Sequence, residues 1–224
     1  KNIAFLGDRL NELGIRLHQV RIIPDDEDEI VEAVNKMRVR YDYVFTTGGI
    51  GPTHDDITAQ SIAKAFGRKV ERNQEAMRRL RDHYNTAEFT EPRKKMADMP
   101  RDVHMIDNPV SAAPGFIIEN VYVMAGVPRI MQAMFDGIKH TLTGGAPMLS
   151  ATVSGFITEG SLAQDLGKIQ EKFPTVEIGS YPFVKDQKLG TALVARSTDR
   201  ALMEECQGLL TVLLRKHTDE VWEE

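Results

Sequence analysis

The chain has 224 residues, 42 % hydrophobic and 27 % charged, the mix of a globular protein with enough chain for one large or two small domains. With 28 basic against 33 acidic residues the net charge is −5, which disfavours non-specific binding to nucleic acid. Its one cysteine, Cys206, excludes an intrachain disulfide and a cysteine-rich zinc site, and no apolar run reaches the ~20 residues of a membrane span, so a cytoplasmic setting is expected.

Residues 1–13 read as a helix, with Leu6, Leu10 and Leu13 on one face and Gly14 as the stop. A βαβ unit normally opens with a strand, so a native N-terminal piece is expected ahead of this helix. "IRLHQVRII", residues 15–23, is β-branched and partly alternating, which predicts a strand. "PDDEDEI" then opens a helix: acids crowd the first turn, where the macrodipole favours them, and Ile30, Val34 and Met37 share a face. "YDYVFTT" predicts the next strand. A glycine-rich loop follows, then a helix from Asp56 with Ala59, Ile62, Ala63 and Phe66 as its stripe and Gly67 as its stop. This alternation predicts an α/β fold with a mainly parallel sheet.

Residues 73–99 are charged and read as helical, with a break near Thr90–Pro92. "DVHMID" and "GFIIENVYVMAG" predict further strands, the second turning at Glu119–Asn120. "TLTGGAP", residues 141–147, has linker composition. Beyond it, "SATVSGFI" predicts a strand, residues 161–173 a helix, "TVEIGS" and "GTALVAR" strands, and residues 199–217 a helix with Leu202, Cys206, Leu209 and Leu213 inward. This βαββα string predicts a small α+β domain over residues 150–224, after an α/β domain over residues 1–144. A domain of about 75 residues has a marginal core and strand edges to cover, which predicts a homo-oligomer, with a dimer favoured by symmetry. Met96, Met99, Met131 and Met134 are assigned to the core.

Chemistry concentrates in "VFTTGGIGPTHDDIT", residues 44–58, where Gly48, Gly49 and Gly51 fall within four residues. In an open parallel sheet ligands bind outside the C-terminal ends of the strands, where this loop belongs. Glycines let backbone amides converge on an anion, and the helix that follows adds its dipole. Asp55 and Asp56 would repel a phosphate unless a divalent cation, magnesium by preference, bridged carboxylate and phosphate oxygens. Plainer readings stand beside this one. Asp56 is then a helix cap, the glycines a wide turn, Asp25 a capping or solvated residue, His54 an exposed loop residue, and Pro114-Gly115 a hairpin turn.

"TTGGIGPTHDDIT" together with "PDDEDEI" resembles the signature of the molybdopterin-binding (MoaB/Mog-like, MoCF biosynthesis) domain family, and more closely the N-terminal part of the CinA-type competence/damage-inducible proteins. The likeness continues in order through "NPVSAAPGF" (residues 108–116), "AGVPRIM" (125–131) and "IGSYP" (178–182), and so covers nearly the whole chain. It implies a three-layer α/β/α domain with a phosphate-binding glycine loop, plus the small α+β domain. It also implies that Asp25 and Asp56 are the functional pair, with Asp56 and Asp55 at the metal. Gly48, Gly49 and Gly51 would sit at the phosphate with Thr47 or Thr58, and Pro114 and Gly115 would face it across the crevice. Family members bind a pterin phosphate, and some transfer an adenylyl group with magnesium. The CinA-type proteins, and the related domain fused to FAD synthase, are associated with metal-dependent cleavage of dinucleotide pyrophosphates such as ADP-ribose or FAD.

The sequence departs from the family pattern at Ala125 and Ile130, where proline and glutamate are usual, and the opening strand with its "GDE"-type loop is not seen before Asn2. The amidase domain that often follows in competence proteins is not in these residues, so deamidase activity is not carried over. The expectation is a divalent-metal-dependent nucleotide pyrophosphatase acting on a small nucleotide, with no nucleic-acid or membrane partner. The alternatives are a molybdopterin- or nucleotide-binding protein, non-catalytic or adenylyl-transferring, and a structural role for the small domain in assembly.

Overall fold

The computed structural model describes residues 1–84 and 89–223. They divide into two compact units, Lys1–Leu10 with Arg16–Thr143, and Asn11–Ile15 with Gly144–Glu224.

Helix α1 (Asn2–Glu12), which belongs to the first unit up to Leu10, precedes α2 (Glu27–Arg38). The start of α2 is fixed locally: the Asp26 carboxylate accepts the Glu29 N–H at 3.0 Å, and Glu27, Asp28 and Glu29 fill the first turn. Strand β1 (Val44–Thr47) leads through the glycine loop to α3 (Thr58–Ala65). Next come β2 (Val70–Arg72), α4 (Gln74–His83), α5 (Glu91–Lys95), β3 (Asp98–Pro100), β4 (His104–Ile106), β5 (Gly115–Ile118), β6 (Val121–Met124) and α6 (Pro128–Ile138). The main sheet has the order β1-β6-β5-β4. Its parallel component is the β1–β6 pair, while β6–β5 and β5–β4 are antiparallel. The turn at Glu119 (φ 50°) and Asn120 is too short for a crossover, so β5 and β6 can only run antiparallel.

Side chains on the sheet alternate between two helical layers. Val44, Val121 and Val123 pack with Ile30 and Val34 of α2, Ile62 of α3, and Ala76 and Leu80 of α4. On the opposite face Phe45 meets Tyr122 at 5.1 Å between ring centroids and Phe135 of α6 at 5.9 Å, and Phe5 of α1 meets Phe135 at 6.0 Å. The result is a three-layer α/β/α arrangement. Strands β2 and β3 form a separate antiparallel ribbon, clipped by the Arg72 guanidinium, which donates to both oxygens of Asp98 at 2.8 and 3.3 Å.

The second unit runs β7 (Leu149–Gly155), α7 (Ala163–Lys172), β8 (Glu177–Lys185), β9 (Lys188–Ser197), α8 (Arg200–Arg215) and β10 (Val221–Glu223). Its antiparallel sheet has the order β10-β7-β9-β8, the expected βαββα string with β10 added at one edge. Helix α8 buries Met203, Cys206, Leu210, Leu213 and Leu214, while Leu202 and Leu209 are only partly buried. Cys206 and Leu213 are thus inward as expected, whereas Met203 and Leu210 take the buried positions expected of Leu202 and Leu209.

Four further expectations are corrected. Residues 15–23 form no strand and have no ladder partner among the described residues, leaving Ile22 89 % exposed. β-Branched composition suits a pleated surface but forms one only against a neighbouring strand. His18 stacks on Tyr41, whose hydroxyl donates to Gln19 at 3.1 Å, and these contacts hold the segment instead. Helix α3 begins at Thr58, not Asp56. The charged stretch 73–99 is two helices and a strand, and residues 85–88 of it lie outside the described residues. Met99, Met131 and Met134 are core, whereas Met96 is half-buried. Among the described residues no helix is long and apolar enough to cross a membrane.

Candidate functional site

Gly48 and Gly49 take φ values of 116° and 68°, the half of conformational space that side chains disfavour. The loop also needs its glycines for space. A Cβ on Gly49 would stand 2.0 Å from the Thr58 hydroxyl oxygen, and one on Gly51 would stand 2.6 Å from a carboxylate oxygen of Asp56. The Gly48 N–H donates to the Met124 carbonyl at the end of β6, and the Thr58 N–H donates to the Gly49 carbonyl, both at 2.9 Å. The loop is thus tied at both ends.

Asp56 does not cap α3. Its carboxylate turns back and accepts the Thr53 N–H at 2.8 Å and the Thr53 hydroxyl, closing the turn between the glycines and the helix. Burial is the largest single influence on this carboxyl and pushes its pKa up. Hydrogen bonds from the Thr53 hydroxyl and from the backbone at Gly51 and Thr53 together outweigh it, so the group stays ionised below the usual carboxylate range. The exposed Asp55 carboxyl is held low by the same hydroxyl and by its own backbone. One hydroxyl proton cannot serve both, and the hydrogen-bond geometry gives it to Asp56.

Beside the loop lies a cavity of about 130 Å³. It is lined by the glycine loop and the start of α3 through Gly49, Ile50, Gly51, Asp56, Ala59 and Gln60, by Val70, Lys95, Met96, Asp98 and Met99, and by Pro114 and Phe116. Of the residues singled out from sequence, Asp56, Gly49, Gly51 and Pro114 line this cavity. Gly48 and Thr58 support the loop from behind. Gly115 is a strand residue and neither a turn nor a wall: a Cβ there would stand 2.2 Å from the Val123 carbonyl oxygen, so its absence lets β5 close on β6. Thr47, His54 and Asp55 are exposed and outside the lining, as is Asp25, which precedes the capping residue Asp26.

Sequence reading missed Lys95, Gln60 and Asp98. Lys95 Nζ donates to the Thr53 carbonyl at 2.6 Å, across 42 residues of sequence. The only local signal was the basic run Arg93-Lys94-Lys95, which by itself reads as a solvated face. Among the described residues no group of three or more His, Cys, Asp and Glu side chains could hold a metal ion. Magnesium commonly binds one or two carboxylates and completes its shell with substrate phosphate and water oxygens. Asp56 is the carboxylate on the cavity wall that can play this part.

Residues 1–144 match the family model described as "Probable molybdopterin binding domain". The chain belongs to this family. Residues 147–220 match a second model, "FAD synthase, middle domain". Among relatives of this molybdopterin-binding-type chain, a protein of Pyrobaculum arsenaticum is 34 % identical over 222 residues, covering 93 % of this chain and 83 % of its own. One of Archaeoglobus fulgidus is 37 % identical over 182 residues, covering 81 % and 77 %. The crystal structure of the protein CinA from Thermoplasma acidophilum aligns with a TM-score of 0.60 at 33 % identity, over 63 % of this chain and 86 % of that one. The family and its CinA-like fold are therefore those that the motifs implied.

Proposed function

We propose that this cavity binds a nucleotide by its phosphates and that the protein is a divalent-metal-dependent hydrolase of dinucleotide pyrophosphates of the ADP-ribose or FAD class. The observation that carries the reading is an ionised carboxylate without a cationic hydrogen-bond partner, Asp56, set beside the glycine backbone in the cavity lining with Lys95 close by. Gly49 and Gly51 bring the loop backbone, with Asp56 seated against it, to the cavity lining, and Met96, Met99 and Phe116 offer apolar surface to a planar ring. Asp56 would hold magnesium jointly with phosphate oxygens. The metal, when bound, polarises the phosphoryl oxygen and lowers the pKa of the attacking water. The match of the second unit to the FAD synthase middle domain supports a nucleotide ligand.

The test is AMP release from ADP-ribose and FAD with and without magnesium, for the wild type and Asp56→Asn. Asparagine keeps an acceptor for the Thr53 N–H, so the loop should hold while metal-dependent turnover falls at least a hundredfold. Equal turnover by the variant, or none by the wild type, would remove the hydrolase reading. A second reading is retention of a pterin or nucleotide phosphate without turnover. It is favoured by Ile130, which stands where the family usually carries glutamate. Magnesium-dependent thermal stabilisation by a ligand that is never cleaved would support it.

A further inference from the structure

We propose that Lys95 is the residue by which this site selects a diphosphate over a monophosphate. The inference rests on the nucleotide-binding reading above and concerns its specificity. In the basic run of α5, Lys94 pairs with Glu91 at 2.6 Å and Arg93 lies 4.3 Å over the Tyr84 ring. Lys95 alone turns to the glycine loop; among the described residues no carboxylate comes within ion-pair distance of it, although the exposed Asp55 carboxyl feels its charge. It is also the one lysine or arginine on the cavity wall.

The charges in the cavity give this ammonium its role. Of the two described carboxylates lining the cavity, Asp98 is paired with the Arg72 fork, whereas the hydrogen bonds to Asp56 come from neutral donors of Thr53 and the loop. A phosphate on the glycine loop therefore meets Asp56 and the cation it would hold. A second phosphate, joined to the first through one bridging oxygen, must find its compensation nearby. Thr53 puts it there, because its N–H holds Asp56 while its carbonyl holds Lys95, so the anionic and cationic groups sit at the two ends of one residue. The ammonium has three donors and spends one on this carbonyl, which leaves two for phosphate oxygens. A monophosphate would be satisfied without reaching Lys95.

Calorimetry on the full chain with magnesium present tests this, using pyrophosphate against orthophosphate and ADP-ribose against AMP, on the wild type, Lys95→Gln and Lys95→Arg. Lys95→Gln should weaken both diphosphates at least tenfold, about 1.4 kcal/mol, and both monophosphates less than twofold. Lys95→Arg should restore most of the loss, since it keeps the charge. Equal losses for mono- and diphosphates would show that Lys95 only latches the loop, and would overturn the proposal. So would an unchanged Lys95→Gln, or a wild type with no preference for pyrophosphate over orthophosphate. Hydrolysis is read separately: a protein that discriminates through Lys95 yet releases no AMP would lose the hydrolase reading and keep this one.

Discussion

Replacing Gly49 by alanine tests whether the glycine loop is built on missing side chains. Two costs add. The residue sits at φ 68°, where an L side chain costs about 1–2 kcal/mol. The new methyl carbon would also stand 2.0 Å from Thr58 Oγ1 and 3.0 Å from Thr58 Cβ. Thr58 is 7 % exposed and its N–H is held by the Gly49 carbonyl, so it can yield only by displacing its neighbours, an overpacking cost of about 1–3 kcal/mol. Gly49→Ala should therefore destabilise the first unit by roughly 2–5 kcal/mol. The assay is urea unfolding followed by tyrosine fluorescence, with the same measurement on Thr58→Ala and on the double variant. Truncating Thr58 removes the clashing oxygen, so the double variant should be more stable than the sum of the single losses by about 1 kcal/mol or more. A loss below about 0.5 kcal/mol for Gly49→Ala, within the range of ordinary surface substitutions, would refute the reasoning. Strict additivity would refute the part assigned to Thr58.

Asn108→Ala should cost about 2–4 kcal/mol in the same assay. Asn108 is 7 % exposed, its amide donates to Ser111 Oγ and the Ala113 carbonyl, and its oxygen accepts the Val110 and Ser111 N–H groups, all of which alanine would strand. A loss below about 1 kcal/mol, the worth of one ordinary hydrogen bond, would count against that role. Cys206 predicts a pH dependence in the second unit. Burial among apolar neighbours pushes its thiol from 9.0 up to about 11, so the folded state resists the charge that the unfolded chain accepts. The contribution is complete below pH 9 and is lost between pH 9 and about 11, by about 3 kcal/mol in all. Thermal melts across that range should show the wild type falling toward Cys206→Ala, which is less stable at neutral pH and lacks this slope. Parallel curves would contradict the burial argument.

Much of this molecule is written locally. Asp26 and three acids start α2, the glycines mark the site loop, Glu119–Asn120 turns β5 into β6, and the pattern beyond residue 147 announces a second kind of domain. Each depends on interactions within a few residues, which sequence records directly. Other features were decided by distant partners. Residues 15–23 have the composition of a strand but, among the described residues, no neighbouring strand to complete it, and α8 buries Met203 and Leu210 in place of the expected Leu202 and Leu209. In one dimension Asp56 reads either as a helix cap or as a site carboxylate; the structure excludes the cap, its carboxylate folding back to Thr53. Lys95 is one of three basic residues in a row until α5 and the β2–β3 ribbon fold against the glycine loop and bring its ammonium to Thr53, 42 residues away. A side chain's chemistry is fixed by its type, but which charges it faces depends on packing between segments far apart in the chain, and that is where the tertiary structure decided the site.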